Sequence, residues 1–261
     1  GFPIFYIVGA IQNANRIMVD VDENFVARTD EMANRITDKT KLIWLDNPNN
    51  PCGTIVERKG VLDLLRKINC RCFLVYDEAY VDFVEPEADF VNGLELIKDF
   101  ENVISLRTFS KIFGLAGIRV GAIIARPEVI SALMKVRIPF NVNALAQKCL
   151  MSALDDKEFY EKSISTNSKM RKLICELLSA RGFKFIPSHT NFVLFDSLVD
   201  SMELAQEMGE RGVFVRPMKG IGLTNWVRAS FPPSEQDAHR FIQVLTESVE
   251  KIKARGKRQA V

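Results

Sequence analysis

The sequence predicts an α/β protein in which a mostly parallel sheet is flanked by helices, with a smaller α+β domain at the C-terminal end. Short apolar runs rich in Val, Ile and Phe alternate with amphipathic helical patterns along the first half of the chain. This alternation is typical of βαβ units, whose strands lie parallel. After residue 141 the pattern changes to long helices and short strands. We therefore expect a large domain over residues 1–154 and a small domain over residues 155–261.

The helices and strands are predicted from the spacing of apolar residues and from the Gly, Pro and polar residues that bound each segment. Apolar side chains at positions 61, 64, 65 and 68 form a helical stripe within residues 56–68. Polar, Gly and Pro residues bound the strands that we expect in the large domain, at residues 16–21, 41–45, 72–76, 103–107 and 120–125. Further helices are expected at residues 141–154 and 156–180. The small domain should contain strands at residues 184–186, 190–195, 213–216 and 226–231 and helices at residues 202–210 and 234–254.

The amino-acid composition argues against nucleic-acid binding, a membrane span and a metal site. The 261 residues are 47% hydrophobic and 26% charged, which is typical of a globular protein with a substantial core. Lysine and arginine total 35 against 33 acidic residues, so the net charge of +2 argues against a nucleic-acid surface or a polybasic membrane patch. No apolar stretch reaches the length of a membrane span. Five cysteines without a CxxC pair favour reduced thiols in a cytoplasmic protein and no metal site.

Two polar clusters follow predicted strands, and the carboxyl ends of parallel strands are where such sheets bind ligands. Residues 46–53 read DNPNNPCG, and because Asn, Pro and Gly are turn residues, an ordinary turn remains an alternative. Asp77 emerges at the end of an apolar strand. A carboxylate in that place is often a helix cap, although a buried carboxylate also keeps a pyridinium nitrogen protonated. Both interpretations of Asp77 stay open.

A third cluster, residues 107–114 (RTFSKIFG), follows the next predicted strand. The hydroxyls of Thr108 and Ser110 and the guanidinium of Arg119 are suited to a phosphate. Lys111 stands among apolar residues, which favours the neutral amine that attacks a carbonyl, and a loop with a solvated lysine is the alternative. A fourth feature is Arg228, in an otherwise apolar strand, where an arginine calls for a carboxylate or phosphate partner.

These residues together resemble a fold-type I aminotransferase over nearly the whole chain. The matching pattern is Asn50-Pro51-x-Gly53, Asp77-x-Ala79-Tyr80, Ser110-Lys111 with Arg119 eight positions later, and Arg228 in the last strand. Within that class, residues 47–53 and residues 135–143 (KVRIPFNVN) are most similar to histidinol-phosphate aminotransferases and their broad aromatic-amino-acid relatives. Cys52 stands where the family usually has threonine, and because the site is a turn we expect a small effect.

The resemblance implies pyridoxal 5'-phosphate as cofactor and a role for each matching residue. Lys111 matches the lysine that binds the cofactor covalently and shuttles the proton between substrate Cα and cofactor C4′. Asp77 matches the carboxylate paired with the pyridinium nitrogen. Asn50 and Tyr80 match the donors to the phenolic oxygen of the cofactor. Part of the phosphate site is matched by Thr108, Ser110 and Arg119.

The remaining matches concern the cofactor ring and the substrate. Phe5 falls where the family places an aromatic ring stacked on the cofactor. Arg228 matches the residue that binds the substrate α-carboxylate. Arg216 matches a position that holds the substrate phosphate in the histidinol-phosphate subgroup, with a surface salt bridge as the alternative. Asn191 is expected to line the same pocket, with a strand-edge amide as the alternative.

The activity that the resemblance implies is transamination between histidinol phosphate and 2-oxoglutarate. The alternatives are a broad aromatic-amino-acid aminotransferase, a decarboxylase of a phosphorylated amino acid, and a truncated, non-catalytic remnant that forms oligomers. We expect a homodimer. The family also has an N-terminal region that supplies a flexible arm, a tyrosine given across the dimer and a helix start for the cofactor phosphate. This chain has no match to that region, so we expect it to bind the cofactor loosely.

Overall fold

The computed structural model describes residues 3–69 and 71–259. It divides into two compact units, the first made of residues 1–50 and 54–164 and the second of residues 51–53 and 165–261. A long helix, Lys157–Ala180, crosses the division. The domain limits predicted from the sequence, with a boundary after residue 154, stay a prediction. In the described part of the chain, no helix is long and apolar enough to cross a membrane.

The first unit is built on a four-stranded sheet in the order β1-β2-β3-β4. The strands are β1 (Leu42–Asp46), β2 (Phe73–Asp77), β3 (Val103–Thr108) and β4 (Gly121–Ile124). The first three are parallel, and β4 runs antiparallel to β3. The α/β class and the mostly parallel sheet are thereby confirmed. The carboxyl ends of β1, β2 and β3 lie at one edge of the sheet.

Helices precede, connect and follow these strands along the chain. They are α1 (Pro3–Ile11), α2 (Thr29–Asn34), α3 (Arg58–Ile68), α4 (Gly93–Asp99), α5 (Pro127–Val136), α6 (Ala144–Asp155) and α7 (Lys157–Ala180). The predicted apolar stripe of α3 is buried, and the helix ends at Asn69, which adopts the left-handed conformation with φ 40°. The core of this unit joins α3 and α4 to the strands through Ile43, Leu45, Val61, Leu64, Leu65, Ile68, Leu74, Tyr76, Leu96 and Val103.

The second unit contains an antiparallel sheet in the order β5-β6-β8-β7. The strands are β5 (Phe185–Ile186), β6 (Phe192–Asp196), β7 (Arg216–Pro217) and β8 (Trp226–Ser230), with helices α8 (Ser201–Glu210) and α9 (Glu235–Gln259). Asp200 caps α8 by accepting hydrogen bonds from the amides of Met202 and Glu203. Apolar residues of the strands and of α7, α8 and α9 form its core, among them Ile174, Leu178, Val193, Phe195, Leu204, Met208, Val227, Ile242 and Leu245.

Two strand predictions are wrong. Residues 16–21 form no strand; Val21 pairs only with Ala27, in an isolated bridge across a turn in which Asp22 accepts hydrogen bonds from Asn24 and Val26. Residues 213–215 also lie outside a strand, and β7 contains only Arg216 and Pro217. Several apolar side chains of the two segments are exposed, among them Ile17, Met18 and Phe214. A strand forms backbone hydrogen bonds with a neighbouring strand. Among the described residues, only Val21 of the first segment and Arg216 of the second have such a pairing partner.

Candidate active site

The three polar clusters of the first unit meet at the carboxyl edge of the parallel strands. Asp46 ends β1, Asp77 ends β2 and Thr108 ends β3. Asp46 and Asp77 are direct neighbours in the strand register, and Asp77 is paired with Leu106 on β3. The sheet therefore places side chains that are 31 residues apart in sequence at adjacent positions, where a ligand bound beyond the edge contacts both segments.

The turn after β1 is held by buried polar contacts. Asn47 is fully buried, and its amide donates to the carbonyl of Val56 (3.1 Å) and to the hydroxyl of Tyr76 (2.8 Å) while its oxygen accepts from the Val56 amide (2.8 Å). The carboxylate of Asp46 accepts from the backbone amide of Asn50 and from Asn49 Nδ2, both at 3.0 Å. Burial raises the pKa of Asp46. These contacts fix the backbone at Asn50, one of the predicted cofactor residues.

Asp77 is a half-buried carboxylate whose surroundings favour a cationic partner. Its Oδ1 accepts a hydrogen bond from the Ala79 amide at 3.0 Å. Burial raises the pKa of Asp77 to about 6; the Ala79 hydrogen bond opposes that rise, the negative charges of Asp46 and Glu78 add to it, and Lys111 lowers the pKa. A carboxylate whose ionised form is disfavoured in this way gains from any further positive charge placed beside it. A protonated ring nitrogen is such a charge.

A buried carboxylate next to Asp77 ties the strand ends together, and sequence reasoning missed it. Glu78 is 1% exposed; it accepts from the Gly93 amide (2.9 Å) and from Ser105 Oγ (2.5 Å), and it pairs with Arg107 Nε at 3.3 Å. Burial raises the pKa of Glu78, and Arg107 opposes that rise. A Cβ at Gly93 would lie 2.4 Å from Glu78 Oε2, so the close approach requires glycine. The adjacent acidic pair in the sequence was the available signal.

Lys111 lies in an exposed turn beyond β3, with its ammonium 5.4 Å from the centre of the Tyr80 ring. Tyr80 is buried, and it follows β2 by three residues. The structure thus brings Lys111 close to the segment that contains Asp77 and Tyr80, so predicted residues from two separate segments lie together. A cation over an aromatic face is a favourable arrangement that also restricts where the amine lies.

The predicted phosphate residues lie around the same turn. The hydroxyl of Thr108 accepts a hydrogen bond from the Ser110 amide at 3.2 Å. Arg119 is exposed and left-handed, with φ 62°, and its guanidinium donates to the carbonyl of Ala116. Thr108 and Ser110 therefore share one short segment with Lys111. Arg119 belongs to the following loop, just before β4.

Phe5 lies in α1, and its ring stacks on Trp44 of β1 with centroids 3.8 Å apart and an interplanar angle of 28°. The Phe5 ring therefore does stack on another ring, but that ring is Trp44 of the same chain. The predicted contact between Phe5 and the cofactor ring stays a prediction.

The second unit carries the predicted substrate residues. Arg228 lies on β8, directly opposite Arg216 on β7, so both side chains leave the same face of the sheet. The Arg228 guanidinium carbon lies 4.6 Å from the centre of the Phe192 ring. Like charges directly opposite each other on neighbouring strands repel. Guanidinium groups bind carboxylates and phosphates, so this face of the sheet is suited to anions.

Asn191 begins the segment that leads into β6, and its carbonyl accepts a hydrogen bond from the Phe231 amide at 3.0 Å. The preceding residues are held by side-chain contacts. The hydroxyls of Ser188 and Thr190 are 2.8 Å apart, and Arg171 donates to the Ser188 carbonyl at 3.1 Å. Asn191 is therefore fixed at the edge of the sheet that also carries Arg228.

Comparison with known proteins identifies the family. Residues 7–245 match the family described as aminotransferase class I and II. The chain is 35% identical over 246 residues to histidinol-phosphate aminotransferase 2 of Pasteurella multocida, covering 94% of this chain and 67% of the relative. It is 37% identical over 209 residues to histidinol-phosphate aminotransferase 2 of Hydrogenovibrio crunogenus, covering 80% of this chain and 56% of the relative.

A solved structure agrees with the sequence relatives. The histidinol-phosphate aminotransferase of Sinorhizobium meliloti, in complex with pyridoxal 5'-phosphate, superimposes with a TM-score of 0.86 at 26% identity, covering 96% of this chain and 68% of that one. The chain thus spans between about half and two thirds of the length of these three proteins. From the match along its length and its identity to these relatives, the chain belongs to the class I and II aminotransferase family.

Proposed function

We propose that the protein is a pyridoxal-phosphate-dependent transaminase that takes histidinol phosphate as amino donor and 2-oxoglutarate as acceptor. The observation that carries the proposal is the meeting of Lys111, Asp77 and Tyr80 at the carboxyl ends of β2 and β3. The family, the names of the relatives and the cofactor-bound neighbour support it. We further propose that it acts in the cytoplasm as a homodimer.

The residues of the first unit fit pyridoxal phosphate. Asp77, with its pKa raised to about 6 mainly by burial, is suited to pair with a protonated ring nitrogen. The amine of Lys111 lies at the same edge of the sheet and is suited to the cofactor aldehyde. Asn50 and Tyr80 would hold the phenolic oxygen of the ring, and the segment with Thr108 and Ser110, together with Arg119, would hold the phosphate.

Each residue then has a defined task. When bound, pyridoxal phosphate supplies a conjugated ring that stabilises negative charge at the substrate Cα. Lys111 would serve as the base that accepts the proton leaving substrate Cα and as the acid that gives it back. Asp77 would keep the ring nitrogen protonated through charge pairing. Tyr80 restricts the position of the amine, because its ring lies beneath the ammonium group.

The pair of arginines, Arg216 and Arg228, favours a substrate that carries a phosphate or carboxylate group. Arg216 and Arg228 leave the same face of the sheet, and each guanidinium presents a fork of donors that fits a phosphate or carboxylate. Arg228 would bind the α-carboxylate of 2-oxoglutarate, and Arg216 would bind the phosphate of histidinol phosphate. No feature of the described residues favours decarboxylation, so we propose no second function.

The proposal is tested by comparing two amino donors. Arg216→Ala should lower kcat/KM for histidinol phosphate by about 10- to 100-fold, since one hydrogen bond to a charged group contributes roughly 1.5 to 3 kcal/mol. The same variant should change kcat/KM for phenylalanine, which has one carboxylate and no phosphate, by much less. Arg181→Ala, an exposed arginine after α7, is the matched control. Equal losses with both donors would contradict the assignment of the phosphate to Arg216.

A further inference from the structure

Tyr160, in the first turn of α7, contacts two segments of the candidate active site. Its hydroxyl donates a hydrogen bond to Asp82 Oδ1 at 2.9 Å. Its ring packs on Phe113, with centroids 5.4 Å apart and an interplanar angle of 31°. Asp82 follows Tyr80 by two residues, and Phe113 follows Lys111 by two residues. One side chain therefore joins the segment that leaves β2 to the segment that leaves β3.

The segment with Lys111 is a tight turn held by backbone hydrogen bonds and ring contacts. The amide of Gly114 donates to the carbonyl of Lys111 at 3.0 Å, and Gly114 has φ +66°. Within the turn, the Phe113 ring contacts Phe109 with centroids 5.6 Å apart. From α7, Phe159 also approaches the turn, because a Cβ on Gly114 would lie 3.8 Å from its Cζ. The first turn of α7 thus packs against the turn that carries the lysine.

The phenol of Tyr160 is suited to this contact. Burial and the neighbouring charge of Asp82 raise the pKa of Tyr160 to about 12, so the hydroxyl keeps its proton throughout the neutral range. It therefore remains a donor to Asp82 throughout that range. Hydrogen bonds to charged groups are stronger than neutral ones, and this one is partly shielded from water.

We propose that Tyr160 is a positioning residue that holds the Lys111 turn against the segment containing Tyr80 and Asp82. Tyr160 sets the distance between the amine of Lys111 and the Tyr80 ring, which is 5.4 Å in the structure. The inference rests on the proposed function only in giving Lys111 a cofactor to bind. The contacts of Tyr160 with Asp82 and Phe113 are made within the chain and do not require a cofactor.

The experiment uses the full chain, three single variants, the double variant of Tyr160→Phe with Asp82→Ala, and a control. Tyr160→Phe removes the hydrogen bond and keeps the ring, Tyr160→Leu removes both contacts, and Asp82→Ala removes the acceptor. Tyr6→Phe, the loss of a phenol from the exposed face of α1, is the matched control. Hydrogen exchange of the cofactor-free chain is measured across residues 109–115. Binding of pyridoxal phosphate is followed by visible absorbance, together with the pH at which the absorbance of the bound cofactor changes.

In Tyr160→Phe we expect exchange across residues 109–115 to rise about tenfold and the Kd for pyridoxal phosphate to rise by a similar factor, as the loss of one net hydrogen bond predicts. The pH midpoint of the bound cofactor should also move, because the surroundings of Lys111 change. Tyr160→Leu should show larger effects. Adding Asp82→Ala to Tyr160→Phe should have little further effect, and Tyr6→Phe should match the parent.

Exchange within twofold of the parent in both Tyr160 variants would overturn the inference. Fully additive effects of Tyr160→Phe and Asp82→Ala would overturn it as well, because two residues that act through one contact are not additive. If the parent chain binds no pyridoxal phosphate under any condition, the proposed function fails. Hydrogen exchange in the cofactor-free chain then still decides whether Tyr160 holds the turn.

Discussion

Asp77 should destabilise the cofactor-free chain at neutral pH, and replacing it with asparagine should stabilise that chain. The carboxylate lies between β2 and the following turn, where burial disfavours its charge. In Asp77→Asn the amide oxygen can still accept the hydrogen bond from the Ala79 amide, which is 3.0 Å from Oδ1 in the parent. The substitution therefore removes a charge and keeps the local structure.

The magnitude follows from the pKa of Asp77, which rises from 3.8 to about 6 on folding. Because folding raises the pKa of this group, the folded state is most stable, relative to the unfolded state, below about pH 4, where the carboxyl is protonated. That stability is lost as pH rises through about 6 and the buried carboxyl ionises. Each unit of pKa corresponds to 1.36 kcal/mol, so the ionised Asp77 should cost about 3 kcal/mol at pH 7. Below pH 4 the cost should be close to zero.

Urea unfolding of the cofactor-free parent and of Asp77→Asn, at pH 4 and at pH 7, measures this difference. The variant should be more stable than the parent by about 3 kcal/mol at pH 7 and by less than about 1 kcal/mol at pH 4. Asp200→Asn is the contrasting control: the hydrogen bond from Lys219 lowers the pKa of Asp200, so this variant should be less stable than the parent at pH 7. A variant of Asp77 that is no more stable than the parent at pH 7 would show that the ionised carboxylate carries no such cost.

Three further substitutions test the contacts of the site. Gly93→Ala should destabilise the chain by about 1 to 3 kcal/mol in urea, because the new Cβ would lie 2.4 Å from Glu78 Oε2 and 2.5 Å from Ser105 Cβ; unchanged stability would contradict this. Tyr76→Phe should lower the free energy of unfolding by about 1 to 3 kcal/mol in the same assay, since the buried Asn47 amide and Val91 carbonyl lose the hydroxyl that they share. An unchanged free energy of unfolding would contradict this. Arg228→Ala should lower kcat/KM for 2-oxoglutarate about 10- to 100-fold, whereas an unchanged value would exclude it from carboxylate binding.

The strands near the site could be predicted because their signals are local. Each of β1, β2 and β3 is a short apolar run that ends at a polar residue, and the predicted bounds differ from the observed ones by one residue at most ends. The polar segment at the end of each run also contains a candidate for the site: Asn50, Asp77 or Thr108. Asp77 was found for this reason, and the order of Asn50, Asp77 and Lys111 then indicated a family.

Other features depend on contacts that no local pattern records. Glu78 is important because Gly93 and Ser105, 15 and 27 residues away, supply its donors. Tyr160 lies 78 residues from Asp82 and looks in the sequence like one aromatic residue on a long polar helix. The segment at residues 16–21 alternates like a strand, yet it has only an isolated bridge to Ala27. Pairing partners, and not alternation alone, decide whether such a segment becomes a strand.

The central claim is that Lys111 is the residue that binds the cofactor covalently. To test this, pyridoxal phosphate is added to the chain at increasing concentration, each mixture is reduced with borohydride, and the lysine modified at the lowest concentration is mapped by mass spectrometry. We expect one modified residue, Lys111, and no modification in Lys111→Ala, while Lys98→Ala, in the last turn of α4, labels like the parent. Equal labelling of Lys111→Ala, or label on Lys98, Lys135 or Lys219 in the parent, would contradict it.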